Sequence, residues 1–222
     1  MLKPMKQIPK GVNAMNRNTI ITIGRQYGSG GREIGQLLAD KLDIPFYDKE
    51  LLTMSAKASG MSEEVFENYD EKPTNSLLYS LSMGTYAMGN TSAAYINLPI
   101  HHKVFLAQFD TIKAIAEKDG GCVIVGRCAD YALASYPHLV NVFIHADIKK
   151  RVKRIMERHS ISAKEAEDMI NRTDKKRANY YNFYTNKKWS AADSYHLSVD
   201  SGAVGIDGTA ALILSFADLK EG

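Results

Sequence analysis

The stretch Gly24-Arg-Gln-Tyr-Gly28-Ser-Gly30-Gly31-Arg32-Glu33 constrains this chain more than any other. It follows the β-branched run Thr19–Ile23 and precedes Ile34, Leu37, Leu38 and Leu42, which fall at helical spacing. A β-branched run ending at glycine reads as a buried strand, and a 3.6-residue period as a helix. Glycines between strand and helix let the backbone turn sharply and aim several N–H groups at one point, where the helix N-terminus adds positive potential. The loop is therefore expected to hold phosphate; a tight turn without a ligand is the plainer alternative.

Further apolar runs, Ile44–Tyr47, Cys122–Val125, Val140–Ile144 and Tyr195–Val199, predict four more strands. Helical patterns separate them: Phe105, Phe109, Ile112 and Ala116 mark one buried face, and Ile148, Val152, Ile155 and Met156 another. Ser162 and Glu165 have capping-box spacing, and a last helix is expected from about Asp207 to Leu219. Strands alternating with helices predict a parallel sheet covered on both faces, a three-layer α/β/α domain.

With 222 residues, 45% hydrophobic and 24% charged, the chain can bury a core without disulfides or metal, and disorder is excluded. A net charge of +3 argues against a dedicated nucleic-acid binder. Two cysteines, Cys122 and Cys128, make no disulfide framework, and His101-His102 has no partner at metal-ligand spacing. A soluble cytoplasmic protein is expected, with no signal peptide and no membrane partner. Residues 1–17 read as a mobile tail ahead of a domain over 18–222. The uncharged stretch Ser76–Ile100 is a candidate contact surface for a homo-oligomer.

Measured against the Gly-Lys-Ser/Thr end of the phosphate-binding pattern, the loop departs in two places. Gly31 follows Gly30 where lysine is wanted, and no hydroxyl follows Arg32. Arg32 is the candidate for the missing positive charge, and Ser29 or Glu33 for the Mg²⁺ ligand. Four segments together carry a family likeness: this loop, Phe46-Tyr-Asp48, Val125-Gly-Arg127 and the run Phe143-Ile-His-Ala-Asp-Ile-Lys-Lys-Arg151-Val-Lys-Arg154. They resemble the P-loop nucleoside monophosphate kinases, and the GSGGRE loop resembles their cytidylate kinase-like branch.

That resemblance spans about residues 19–217, least well over 60–118. It implies a P-loop NTPase fold with a helical acceptor-binding insertion at about 60–118 and a lid at about 158–188. It also implies ATP and Mg²⁺ as cofactors, and phosphoryl transfer to a nucleoside monophosphate such as CMP or dCMP. Gly28, Ser29, Gly30, Gly31, Arg32 and Glu33 would hold ATP. Asp48, Arg127, Asp130 and Arg151 would hold the acceptor, and Arg32, Arg172 and Arg177 would neutralise charge during transfer. Asp174 matches the lid's Asp-x-x-Arg spacing with Arg177.

The residues keep other readings open. Asp48 also fits the N-cap of the following helix, and Arg127 a helix-start arginine paired with a surface carboxylate. Arg151, Arg154 and Arg158 also fit a solvated basic face. Tyr180, Tyr181, Phe183 and Tyr184 suit packing better than base stacking, and Cys128 suits a buried, inert thiol. Departures from the loop pattern favour, as alternatives, a nucleotide-binding regulator or a kinase for another small molecule.

Overall fold

The computed structural model describes residues 18–71 and 98–221. The tail 1–17 and most of the uncharged stretch fall outside the described residues. β1 (Ile20–Arg25) leads through the glycine loop into α1 (Gly31–Leu42). Then come β2 (Phe46–Tyr47), α2 (Glu50–Ser59), α3 (Glu63–Tyr69) and α4 (Ile100–Asp119). β3 (Cys122–Val125), the short α5 (Ala129–Ala132) and β4 (Leu139–His145) follow. The chain closes with α6 (Ile148–His159), α7 (Ala163–Thr185), β5 (Leu197–Asp200) and α8 (Ser201–Glu221).

The five strands form one sheet in the order β2-β3-β1-β4-β5, and every pairing is parallel. Alternation along the central strands sends side chains to two cores, as a sheet covered on both faces requires. Ile21 and Ile23 of β1, with Val123 and Val125 of β3, pack under Ile34 and Leu38 of α1 and Ile213 of α8. Ile20, Cys122 and Ile124 face the opposite layer, against Leu51 of α2, Ile112 and Ile115 of α4, and Leu133. Each such side chain, withdrawn fully from water, contributes about 1.5–3 kcal/mol.

Strands β1 and β4 are longer than the apolar runs alone predict. Arg25 and His145 extend them into polar sequence because the ladder Gly24–Phe143, Arg25–Ile144 continues to the strand ends. The last strand is shorter than expected at its start, because Tyr195 ends a 3₁₀ turn over Ala192–Ser194. The last helix begins at Ser201 and is broken at Gly205, which has φ 75° and ψ −179°. It is apolar and long enough to meet the length and composition of a membrane span. One face packs on the sheet with Ala210, Ile213 and Ala217 fully buried, while Val204, Leu212 and Leu219 on the same helix are exposed.

The capping box forms as expected: the Ser162 hydroxyl accepts from the Glu165 amide, and the Glu165 side chain accepts from the Ser162 amide. It opens α7, whose 23 residues span about 35 Å at the α-helical rise. α6 and α7 pack around Ile155, Ala166 and Ile170, which puts one side of α7 over the glycine loop. The aromatic residues of α7 turn inward. Tyr184 stacks on Phe105 with centroids 3.9 Å apart, and Tyr180 donates to Gln108. These contacts pack the four aromatic side chains into one cluster with Phe105 and Phe143.

Candidate active site

At the C-terminal ends of β1, β3 and β2 lies an open cleft of about 730 Å³. Open parallel sheets bind ligands at this edge. The glycine loop forms one wall, and Arg127 with Asp48 forms another. Among the described lining residues are seven basic side chains (Arg25, Arg32, Lys49, Arg127, Arg154, Arg158, Arg177) against four carboxylates. That surplus, focused by low-dielectric walls, attracts an anion.

Two loop glycines adopt backbone angles that favour glycine: Gly28 with φ 80° and Gly30, the N-cap of α1, with φ 82°. A Cβ on Gly30 would lie 2.6 Å from Ile206 and 2.8 Å from Arg154 Nη1. Outside clamps fix the loop. The Tyr27 amide donates to Asp174 at 2.7 Å, Arg151 donates to the same carboxylate at 2.7 Å, and Arg154 donates to the Gly28 carbonyl at 3.0 Å. Ser29 is fully buried, and its hydroxyl donates to the Gln26 carbonyl at 2.9 Å.

On the facing wall Asp48 accepts from Arg127 at 2.6 Å and from Arg32 at 2.8 Å. Burial alone would raise this carboxyl, but Arg127, with help from Arg25 and Arg32, holds it below the usual range. Arg127 has φ 54° and also grips Asp70 through Nε and Nη2, at 3.3 and 3.0 Å. Burial would lower its pKa; Asp70, Glu71 and Asp48 more than reverse that.

Between the walls stands Glu71, which accepts from Arg25 at 3.0 Å and from Arg177 at 3.4 Å. Its pKa is depressed because Arg25, Arg177 and Arg127 outweigh burial. Arg177 lies over the Tyr27 ring and donates to the Arg25 carbonyl. Burial, reinforced by Arg25, brings its guanidinium down to about 10.

The cleft therefore collects Gly28, Gly30, Gly31, Arg32, Glu33, Asp48, Arg127 and Arg177 from the residues singled out in the sequence. The geometry revises the others. Ser29 turns its hydroxyl into the loop instead of the cleft. Arg151 is buried beneath the loop and spends its donors on Ala146, Tyr27 and Asp174, so it shapes the loop and does not line the cleft. Arg172 is exposed on α7 and lies outside the cleft lining.

Asp130 faces a small cavity of about 20 Å³ that shares Arg25, Glu71, Arg127 and Arg177 with the cleft, and it accepts from Tyr181 at 2.7 Å and from Asn141 at 3.3 Å. Burial raises its carboxyl against the pull of the Tyr181 bond. Asp48 is not an N-cap, because Lys49 takes that position. Arg154 and Arg158 face the cleft, so the basic stripe is not merely a solvated face. Cys128 is buried with its thiol raised by burial, an inert state.

The motif reading did not single out the cleft residues Arg25, Asp70 and Glu71. Arg25 sat within the glycine stretch, and the glycine in the lysine position was the clue. Asp70 and Glu71 follow α3 in the segment that matches the family pattern least.

The model of the cytidylate kinase-like family matches residues 20–203. A comparison with curated proteins finds no match. Among solved structures the chain is similar to an uncharacterized protein from Eubacterium ventriosum. Identity is 29%, coverage is 90% of this chain and 98% of that one, and the TM-score is 0.66. A shikimate kinase from Bacteroides thetaiotaomicron is similar at 14% identity, with 89% and 97% covered and a TM-score of 0.49.

Proposed function

The chain belongs to the cytidylate kinase-like family, and we propose that it transfers the γ-phosphoryl group of ATP to a nucleoside monophosphate, CMP or dCMP. The observation that carries this reading is the placement of two basic walls across one cleft. The glycine loop with Arg154, Arg158 and Arg177 faces Arg127, Arg32 and Asp48. Phosphoryl transfer needs little covalent help from protein; it needs two anions held in line and their charge neutralised.

The loop amides and the N-terminus of α1 suit the ATP phosphates. Arg127 suits the acceptor phosphate, since a guanidinium fork matches phosphate oxygens. The acceptor would compete with Asp70 rather than Asp48, because the Asp70 side chain is 21% exposed and the Asp48 side chain 8%. No side-chain base is required, as a monophosphate oxygen is already anionic at neutral pH.

Asp48, Asp70 and Glu71 are all held by arginines. Among the described residues, Glu33, exposed in the first turn of α1, is the cleft carboxylate without an arginine partner. That donor set fits Mg²⁺ held mainly by phosphate oxygens and water, with Glu33 as the protein ligand. Bound there, the ion would neutralise charge on the transferring group.

Product analysis tests the reading. The protein is incubated with Mg·ATP and each of CMP, dCMP, UMP, AMP and GMP, and the products are separated by ion exchange. Diphosphate from CMP or dCMP supports it; turnover of a different acceptor would leave a small-molecule kinase but remove the cytidine assignment. The Ser29 hydroxyl, bound to Gln26 and turned from the cleft, favours a second reading as a nucleotide-binding regulator. That reading requires ATP binding with no diphosphate from any acceptor.

A further inference from the structure

The loop pattern reserves the residue after its last glycine for a lysine that reaches the β- and γ-phosphates. Here that residue is Gly31. The space its side chain would need is already filled. A Cβ on Gly31 would lie 2.6 Å from the Cβ of Arg25 and 3.1 Å from its Cγ. Beyond, the Arg25 guanidinium passes Gly126, where a Cβ would overlap Nη1 and come within 2.8 Å of Cζ. Two backbone positions without side chains thus form a slot, and one arginine occupies its length.

Arg25 is the last residue of β1 and is 9% exposed. Arg25 lines the cleft, with Cβ and Cγ against Gly31 of the loop and its guanidinium against Gly126 after β3. Among the described residues only Nη1 has a protein acceptor, Glu71 Oε1 at 3.0 Å. Nε and the second terminal nitrogen have no acceptor among the described residues, and neither is sealed from solvent. A guanidinium with two donors unused by protein, neither of them sealed from solvent, in a cleft with a surplus of basic side chains is arranged for an anion that binds there. Glu71 fixes one end of the fork and leaves the other open.

We propose that Arg25 takes over the work of the absent loop lysine, donating to the terminal phosphates of a nucleoside triphosphate from the strand side of the loop. Gly31 and Gly126 are glycines because Arg25 needs their space. This inference rests on the kinase reading above and assigns its triphosphate contact. It also separates the roles of two arginines. Arg25 faces the triphosphate, whereas Arg32, 53% exposed and bound to Asp48, belongs to the acceptor wall.

Calorimetric titration of the full chain with Mg·ATP, Mg·ADP and AMP tests it, comparing wild type with Arg25→Gln. Losing one charge-assisted phosphate contact is expected to weaken ATP binding on the order of ten- to a hundredfold. ADP should lose less and AMP least, so the ratio of AMP to ATP dissociation constants falls. If the glutamine variant does not fold, Arg25→Lys carries the same readout, with a smaller fall in that ratio. An unchanged ratio in a folded variant would overturn the assignment and leave Arg25 as a structural partner of Glu71. Wild type that binds no ATP would instead remove the kinase reading itself, and the assignment with it. Arg25→Gln combined with Gly31→Lys is expected to recover part of the ATP affinity, because the slot is then free for lysine.

Discussion

Asp48 and Arg127 meet at 2.6 Å, with side chains 8% and 4% exposed, and so bind the end of β2 to the turn after β3. The pair sits across the cleft from the glycine loop. Breaking a buried pair by removing one partner leaves an uncompensated charge, which costs about 3–5 kcal/mol. Asp48→Asn is expected at the low end, about 3 kcal/mol, because Arg127 keeps Asp70. For a chain of this size that is a fall in melting temperature on the order of 6–12 °C, read by calorimetry. An unchanged melt would mean that the pair does not support the fold.

Asp174 locks the loop from α7 by accepting the Tyr27 amide at 2.7 Å and the Arg151 guanidinium at 2.7 Å. Asp174→Ala should free that amide, raising its hydrogen-exchange rate on the order of tenfold, for a bond worth about 1.5 kcal/mol. Exchange measured residue by residue checks this. Equal protection in both proteins would show that the loop is held by its own geometry.

Asp130→Asn separates a structural carboxylate from a substrate ligand. The bonds to Tyr181 and Asn141 are buried and lie outside the cleft. Their loss is expected to cost about 1–3 kcal/mol while leaving the KM for both substrates unchanged. A changed acceptor KM at an unchanged melting temperature would return Asp130 to the acceptor site.

Two acid-sensitive windows follow from the buried groups. His102 is 1% exposed, and burial, with His101 beside it, lowers its pKa to about 4. A depressed folded-state value means that the unfolded chain binds the proton first. Stability is therefore full above 6.5 and declines as the pH falls toward about 4. Asp48 and Glu71, also depressed, contribute fully above their ordinary values of 3.8 and 4.5 and lose that contribution only at lower pH. Urea unfolding at pH 7 and pH 5 should show a loss that His102→Gln reduces, with His101 and His196, which burial also depresses, contributing the remainder. An equal loss in both proteins would place the sensitivity elsewhere.

The layers of the fold were legible because they rest on local pattern. β-branched runs ending at glycine mark β1 and β3, and the helical period marks α1 and α6. The strand ends were less visible, since Arg25 and His145 join the sheet through backbone ladders that side-chain hydropathy does not report. Asp48 illustrates a true ambiguity. An aspartate before a helix looks like a cap, and only the helical backbone of Lys49 shows that it is free for Arg127. The basic helix α6 was equally ambiguous until its packing showed which arginines meet the loop. Arg25 escaped notice because a linear pattern looks for its cation after the last glycine, whereas the fold brings one from six residues earlier.

The central claim is that this cleft carries a phosphoryl group from ATP to an acceptor phosphate bound by Arg127. Phosphorus NMR of wild type with Mg·ATP and CMP or dCMP tests it most directly. The account predicts that resonances of ADP and a second diphosphate grow together, and that Arg127→Ala, folded by calorimetry, slows their appearance on the order of a hundredfold or more, as loss of a charged contact to the reacting group would. ATP that remains intact with every acceptor, or equal rates with and without the Arg127 side chain, would contradict it.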